Sequence, residues 1–336
     1  MPAFSDTKIN FAYTTNADSL RAESAKIFKK EVEKNSKGKI RIELFDSTRL
    51  SSLGLKTSDT DLIESIMNNG PVDIVVSSAG NFSVYCDEAG LSALPYIMED
   101  FDEADFFLES PLLKEIEACL EKSNIAVIGH FENGFRCITT TDKRIDCLKD
   151  LEGLHIRTPA NKILIETMSA LGCHPEPMDF GKLPGALKSG YFEGQENPIQ
   201  TIFTQKLYEV QKYLAITNHC YDIMPLAIKK SLWEKLSENE RKILKNAVKK
   251  AEEFHRVQLK KLTDDCLEKL KEAGMTITTP PLADFKAATQ CVVEDFSALY
   301  GKKFSDLKKN GFKVPAENNT LTTDTVGGKT KGSGKN

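Results

Sequence analysis

Three short stretches of this chain place arginine, asparagine and glutamate where they could grip an anion. In Gly153-Leu154-His155-Ile156-Arg157-Thr158-Pro159 an arginine stands in a short strand-like run, ahead of a proline and a helix. Strand ends are where α/β lobes hold ligands, and the planar guanidinium fork matches both oxygens of a carboxylate. A surface ion pair would use the same residue types, so spacing alone leaves both readings open. In Glu132-Asn133-Gly134-Phe135-Arg136 the Asn-Gly pair predicts a turn, and Arg136 opens a strand that runs to residue 140; taken alone this is a hairpin. Glu193-Gly194-Gln195-Glu196-Asn197-Pro198 packs amide and carboxylate side chains between a glycine and a proline that starts a helix. A solvated loop has the same composition.

Nucleophilic or metal chemistry has less support. Cysteine and histidine adjoin at Cys173-His174 and His219-Cys220, but neighbours on a strand point to opposite faces, so neither pair makes a nucleophile–base dyad or a joint metal site. GxSxG, HExxH and Gly-rich phosphate loops are absent. The expectation is therefore no catalytic residue, no metal and no cofactor, with a hydrolase-type enzyme as the weaker alternative. The eight cysteines, at 86, 119, 137, 147, 173, 220, 266 and 291, show no CxxC and no tight cluster. A chain able to build its own core does not need a disulfide framework, so mostly unpaired, buried thiols are expected.

The elements that must position these side chains follow from periodicity. At 336 residues, 40% hydrophobic, the chain exceeds the size at which a single core stops growing, and two lobes are expected. Residues 8–13 alternate, 19–32 repeat at helical spacing and 40–44 alternate again: strand, helix, strand. A short helix over 61–67 precedes a buried strand at 72–76, and a helix over 111–122 precedes another at 125–128, where the first crossing between lobes is placed. The second lobe then has strands near 136–140 and 155–158, a helix over 161–171 and a shorter one ending at Gly190. Strands at 214–217 and 224–228 are expected to return to the first lobe. Ser237 with Glu240 forms a capping box, and apolar residues recur at helical spacing to Gly274, a helix of roughly 50 Å that must brace both lobes. Residues 316–336 are polar, with almost nothing to bury, and read as a disordered tail.

Composition excludes some partners. The 45 basic and 49 acidic residues offer no broad positive field for a phosphate backbone, so nucleic acid is not expected. No window approaches the roughly 18 apolar residues of a membrane span, and the amino terminus has no charged-then-apolar export segment.

Asn133-Gly134-Phe135-Arg136, Gly153 to Pro159, Gly190 to Pro198, and Thr217-Asn218-His219-Cys220-Tyr221 together resemble the DctP-type solute-binding proteins of TRAP (tripartite ATP-independent periplasmic) transporters, in order and spacing. The resemblance extends over residues 8–313. It implies an α/β, two-lobe, periplasmic-binding-protein-like fold (type II-like), with lobe I formed by 1–128 and 213–255 and lobe II by 129–212 and 256–315. It also implies a monomeric periplasmic receptor, its signal peptide removed, that closes on a small organic acid and delivers it to a membrane permease. Arg157 would make the main salt bridge to the ligand carboxylate, beside Arg136 and Asn197. Phe180 would wall the site, and Glu196 and His219 would support Arg136. Asn16, Ser78 and Asn81 would supply first-lobe contacts. Several members of the family carry charges near Ser78 and Asn81; neutral residues here imply a ligand whose far end is neutral or hydroxylated. Lys182 and Pro184, next to Phe180, depart from the usual acidic, proline-free start of that helix. A sulfonate-binding or sensory receptor of the same fold is the alternative, because arginine grips both anions.

Overall fold

The computed structural model describes residues 7–300, with side chains through Phe296. The first lobe opens with β1 (Thr7–Ala12), α1 (Leu20–Asn35), β2 (Ile40–Phe45), α2 (Ser47–Ser52), α3 (Asp59–Met67) and β3 (Ile74–Val76), followed by α4 (Phe101–Leu108) and α5 (Pro111–Glu121). Strand β1 runs parallel between β2 and β3. Helix α1 starts where the Ser19 side chain accepts from the Ala22 amide at 3.2 Å, with Glu23 in its first turn; both favour a helix N-terminus. Its buried face sets Ala22, Ala25, Phe28 and Val32 against Phe11 and Ile42.

The two lobes share β4 (Ile125–Thr140), a single strand of 16 residues. The hairpin expected at Asn133-Gly134 does not form. Gly134 adopts φ +83° and the register slips between Glu132 and Gly134, so the dipeptide makes a bulge and the strand continues. One residue with positive φ absorbs an extra position and adds twist without reversing the chain. The part of β4 before the bulge pairs with the first lobe, and residues 136–140 pair with the second.

The second lobe contributes β5 (His155–Thr158), α6 (Lys162–Ala170), β6 (His174–Pro177), α7 (Leu183–Lys188), β7 (Gly194–Pro198), α8 (Ile199–Thr204) and β8 (Tyr213–Ala215). Strand β7 is antiparallel to β4 and parallel to β5, which pairs parallel with β6. Strand β8 corrects an expectation: it pairs with residues 138–140 of β4 and so lies in the second lobe. Its apolar triplet suits either sheet, and pairing alone decides between them. The chain returns to the first lobe only with β9 (Tyr221–Lys229), which is antiparallel to both β3 and β4.

After α9 (Lys230–Lys235), helix α10 (Glu238–Glu272) runs 35 residues, roughly 52 Å. Ser237 and Glu240 form the capping box, and Gly274 beyond its end takes φ +91°. Leu244, Ala247, Val248 and Ala251 pack in the first-lobe core, whereas Cys266 and Leu270 pack in the second. Strand β10 (Thr276–Thr278) pairs with β8. In α11 (Ala283–Tyr300), Phe285 belongs to a second-lobe core while Val292, Val293 and Phe296 join Ile163, Leu164, Ala79 and Phe82 in a cluster that crosses between lobes. The expected tail, 316–336, lies outside the described residues.

Six cysteines are unpaired, of which Cys137, Cys173, Cys220 and Cys266 are buried and Cys147 and Cys291 exposed. Cys86 and Cys119 are joined as a disulfide, a pairing that spacing did not suggest. With Glu88 they make the one grouping of metal-type side chains among the described residues, and none of the three lines the inter-lobe cavity. No helix among the described residues is long and apolar enough to cross a membrane.

Candidate functional site

Between the lobes lies a cavity of about 460 Å³, within the range of small-molecule sites. From the first lobe it is walled by Thr14 and Thr15 after β1, Arg21 on α1, Asp59 and Thr60 at the start of α3, and Ser78 and Asn81 after β3. The second lobe supplies Arg136, Arg157, Phe180 and Asn197, among others.

Arg157 reaches the cavity by strand alternation. Ile156 points into the second-lobe core, so its neighbour points the other way. Arg157 is 3% exposed, with Nε donating to the Met178 carbonyl at 2.8 Å and Nη2 to the same oxygen. Its ring neighbour is Phe180, 5.8 Å from Cζ to the centroid. Among the described residues no carboxylate lies within ion-pair distance of it. Burial therefore pushes its pKa down, to about 10, against the distant pull of Glu196. It remains a cation at neutral pH, desolvated and undercompensated.

Arg136 is buried equally, 3% exposed, but surrounded by acceptors. Its Nε and Nη2 donate to the Glu196 carboxylate, Nη1 to Asp222 at 3.2 Å, and Nη2 also to Asn197 Oδ1 at 3.2 Å. Burial would lower its pKa, but Glu196 and Asp222 outweigh it and hold the pKa above the ordinary arginine value. Burial likewise opposes the charge on Glu196, yet Arg136 and His219 hold that carboxyl at about 2. His219 Nε2 lies 3.2 Å from Glu196, and its Nδ1 is 2.9 Å from Thr217 Oγ1. Asp222 also collects Ser78 Oγ at 2.6 Å and Asn133 Nδ2 at 2.9 Å, so one carboxylate ties the first-lobe loop to the bulge of β4.

The structure brings Arg157, Arg136, Asn197, Phe180, Ser78 and Asn81 to one cavity, with Glu196 and His219 buried behind Arg136. Asn16 is the exception. It is exposed, binds Ser47 Oγ at 3.3 Å and reaches Gln205 at 3.5 Å on the rim. Thr14 and Thr15 line the cavity where Asn16 was expected. Asn81 donates to Ser77 Oγ at 2.8 Å, which donates to Asp59 at 2.6 Å.

Charged residues that were not anticipated at the site include Arg21 and Asp59 on its wall and Asp222 behind it. Two carried a readable signal. Arg21 falls on the apolar stripe of α1, between Leu20 and Ala22, Ser24 and Ala25, all buried. Asp222 interrupts the apolar run of a strand whose first eight residues are buried. A charge on a buried face demands a partner or a task. Asp59, in the first turn of a helix, reads as ordinary N-terminal chemistry.

The sequence matches the family described as bacterial extracellular solute-binding protein, family 7 (DctP), over residues 11–299. It is 29% identical to the sialic acid-binding periplasmic protein SiaP of Vibrio cholerae over 297 residues, 88% of this chain and 90% of that one. A solute-binding protein of Roseobacter denitrificans is 31% identical over 268 residues, 79% of each chain. Among solved structures, a TRAP periplasmic solute-binding protein of Polaromonas bound to D-erythronate superposes with a TM-score of 0.85 at 27% identity, covering 92% of this chain and 99% of that one. The sugar acid-binding protein of Advenella mimigardefordensis in complex with galactonate gives 0.85 at 28%, covering 91% and 99%.

Proposed function

Because this chain belongs to the bacterial extracellular solute-binding proteins of family 7, and is a two-lobe transport receptor, not an enzyme, we propose that it captures a small organic acid by pairing the ligand carboxylate with Arg157. The observation that carries this reading is the contrast in compensation: an arginine 3% exposed, facing a cavity walled by both lobes, with a backbone carbonyl as its acceptor and no carboxylate beside it. A buried cation costs several kcal/mol unless an anion accompanies it. A carboxylate entering the fork supplies that anion through two charge-assisted hydrogen bonds. Phe180 covers one side of the pair, and Asn197 and Arg136 stand beside it.

Closure follows from the same balance. First-lobe groups such as Asn81 and Thr15 touch the ligand only when the lobes face each other, so a ligand that pairs with Arg157 favours the closed arrangement by its extra contacts there. We place the protein in the periplasm, a reading supported by the periplasmic relatives, and infer that it acts there as a monomer that hands its ligand to a TRAP membrane permease. Calorimetry of Arg157→Ala against a panel of organic acids and sulfonates tests it. Affinity for every bound anion is expected to fall about 100-fold or more; unchanged affinity overturns the salt bridge.

A further inference from the structure

Away from the inter-lobe cavity, Glu88 presents a carboxylate to both sulfurs of the Cys86–Cys119 pair. Its Oε2 lies 3.4 Å from Cys86 Sγ and 3.7 Å from Cys119 Sγ. Cys86 is buried in an apolar core, with Cys119 and Glu88 half-buried beside it. A disulfide has no S–H to give, so the oxidised pair offers that oxygen only sulfur lone pairs. Two thiols would donate to it weakly, and a cation held among the three atoms would pair with it directly. The three candidate ligand atoms lie within 4.8 Å of one another. A tetrahedral ion with metal–sulfur bonds of about 2.3 Å holds two thiolates about 3.8 Å apart. With the Cα atoms 5.9 Å apart, side-chain rotation spreads the sulfurs to that spacing. No local motif announces the arrangement, since 33 residues separate the cysteines and only the packing of the turn Asp87–Ala93 near α5 joins them.

We propose that Cys86, Glu88 and Cys119 form a redox-gated site for a thiophilic divalent cation of the zinc type. In the oxidised protein the S–S bond occupies both sulfurs and the site is shut. A dithiol reductant opens it: the reductant's own S–S bond forms as the Cys86–Cys119 bond breaks, and its two protons pass to the two cysteine sulfurs. The cation then displaces those protons and bonds two thiolates and one carboxylate oxygen, with a fourth position left for water. Thiolate ligands select zinc-like ions over magnesium and calcium, which prefer oxygen. Either bridge ties the turn after Cys86 to α5, so reduction exchanges one staple for another.

The other six cysteines are unpaired and stay so in both redox forms, so the difference between the forms isolates this pair. Cd2+, a spectroscopically visible stand-in for Zn2+, is titrated into the full chain, once oxidised and once after treatment with a dithiol that is removed under nitrogen. The reduced form is expected to take up a single additional Cd2+ with thiolate-to-metal charge-transfer absorbance, which excess Zn2+ displaces and excess Ca2+ does not. Cys119→Ser is expected to weaken that uptake at least about 100-fold and Glu88→Gln about 10-fold, because losing a direct ligand costs no less than losing a group behind one. Equal uptake by the two wild-type forms overturns the proposal without any variant having to fold. So does a Cys119→Ser protein that keeps the additional ion, and unchanged affinity in Glu88→Gln overturns the three-ligand site.

Discussion

Arg136 and Arg157 line one cavity at equal burial, yet their surroundings are opposite. Arg136 touches two carboxylates and an amide oxygen; Arg157 touches one backbone carbonyl through two of its nitrogens. The pKa directions follow, raised for the first and lowered to about 10 for the second. Burial alone therefore does not mark a binding arginine. The number of anions already present separates a guanidinium that completes the fold from one that waits for a ligand.

The strongest way to break this comparison is to remove each cation in turn. Arg136→Met leaves Glu196 and Asp222 buried without their counter-ion, and urea unfolding is expected to show a loss of about 3–5 kcal/mol. Arg157→Met removes a buried charge that had no anionic partner, so the unfolding free energy of the ligand-free protein is expected to hold or rise, not fall. Equal losses from the two variants would erase the distinction. Adding Glu196→Gln to Arg136→Met is expected to recover about 1–2 kcal/mol, since coupled neighbours do not add.

Acid titration sharpens the same point. The folded Glu196 carboxyl sits at about 2, below its unfolded value, so its contribution is complete above about 4.5 and is lost as pH falls through 2. Two histidines, His255 buried and His130 largely so, act earlier. Burial lowers His130 to about 4, and does the same for His255, which packs against Phe131 and bonds Ser24 at 2.8 Å. Their folded pKa values lie below the unfolded one, so the stability they protect is whole above about 6.5 and is lost as pH falls from there through 4. Urea midpoints should therefore decline in two stages, with the first, on the order of 3 kcal/mol per histidine, well before the Arg136–Glu196 pair is touched. A single transition below pH 4 would contradict that order.

The smallest effect is expected at Gly134, two residues before Arg136. A Cβ there would meet Leu259 and Gln200 at ordinary contact distances of 3.6 and 3.7 Å, so the cost of Gly134→Ala comes from φ +83° alone, about 1 kcal/mol. Thermal unfolding checks it. A loss several times larger would mean that the bulge also aims Arg136 at its carboxylates.

Much of the scaffold was readable in the residues. Ser237 with Glu240 marks the start of α10, and alternation marks β1 and β2, because caps and apolar periods act within a few residues of themselves. The strand-end position of Arg157 was readable from its neighbours, whereas Asn197 and Phe180 entered only through the family resemblance, because their approach to Arg157 depends on contacts between separate elements. Asn133-Gly134 misled, since one dipeptide serves a turn or a bulge and only the strand partners on either side choose. The triplet of β8 misled for a similar reason, and Asn16 was off the wall by one or two residues.

The sequence by itself determined the alternation of strands and helices, the bracing helix and the types of side chain available to an anion. Tertiary structure alone decided which arginine is already neutralised. Glu196 and Asp222 lie 60 and 86 residues from Arg136, and Asp59 reaches Arg21 only through a threonine on another element. Electrostatic compensation depends on distance and desolvation in three dimensions, and neither is encoded by local period.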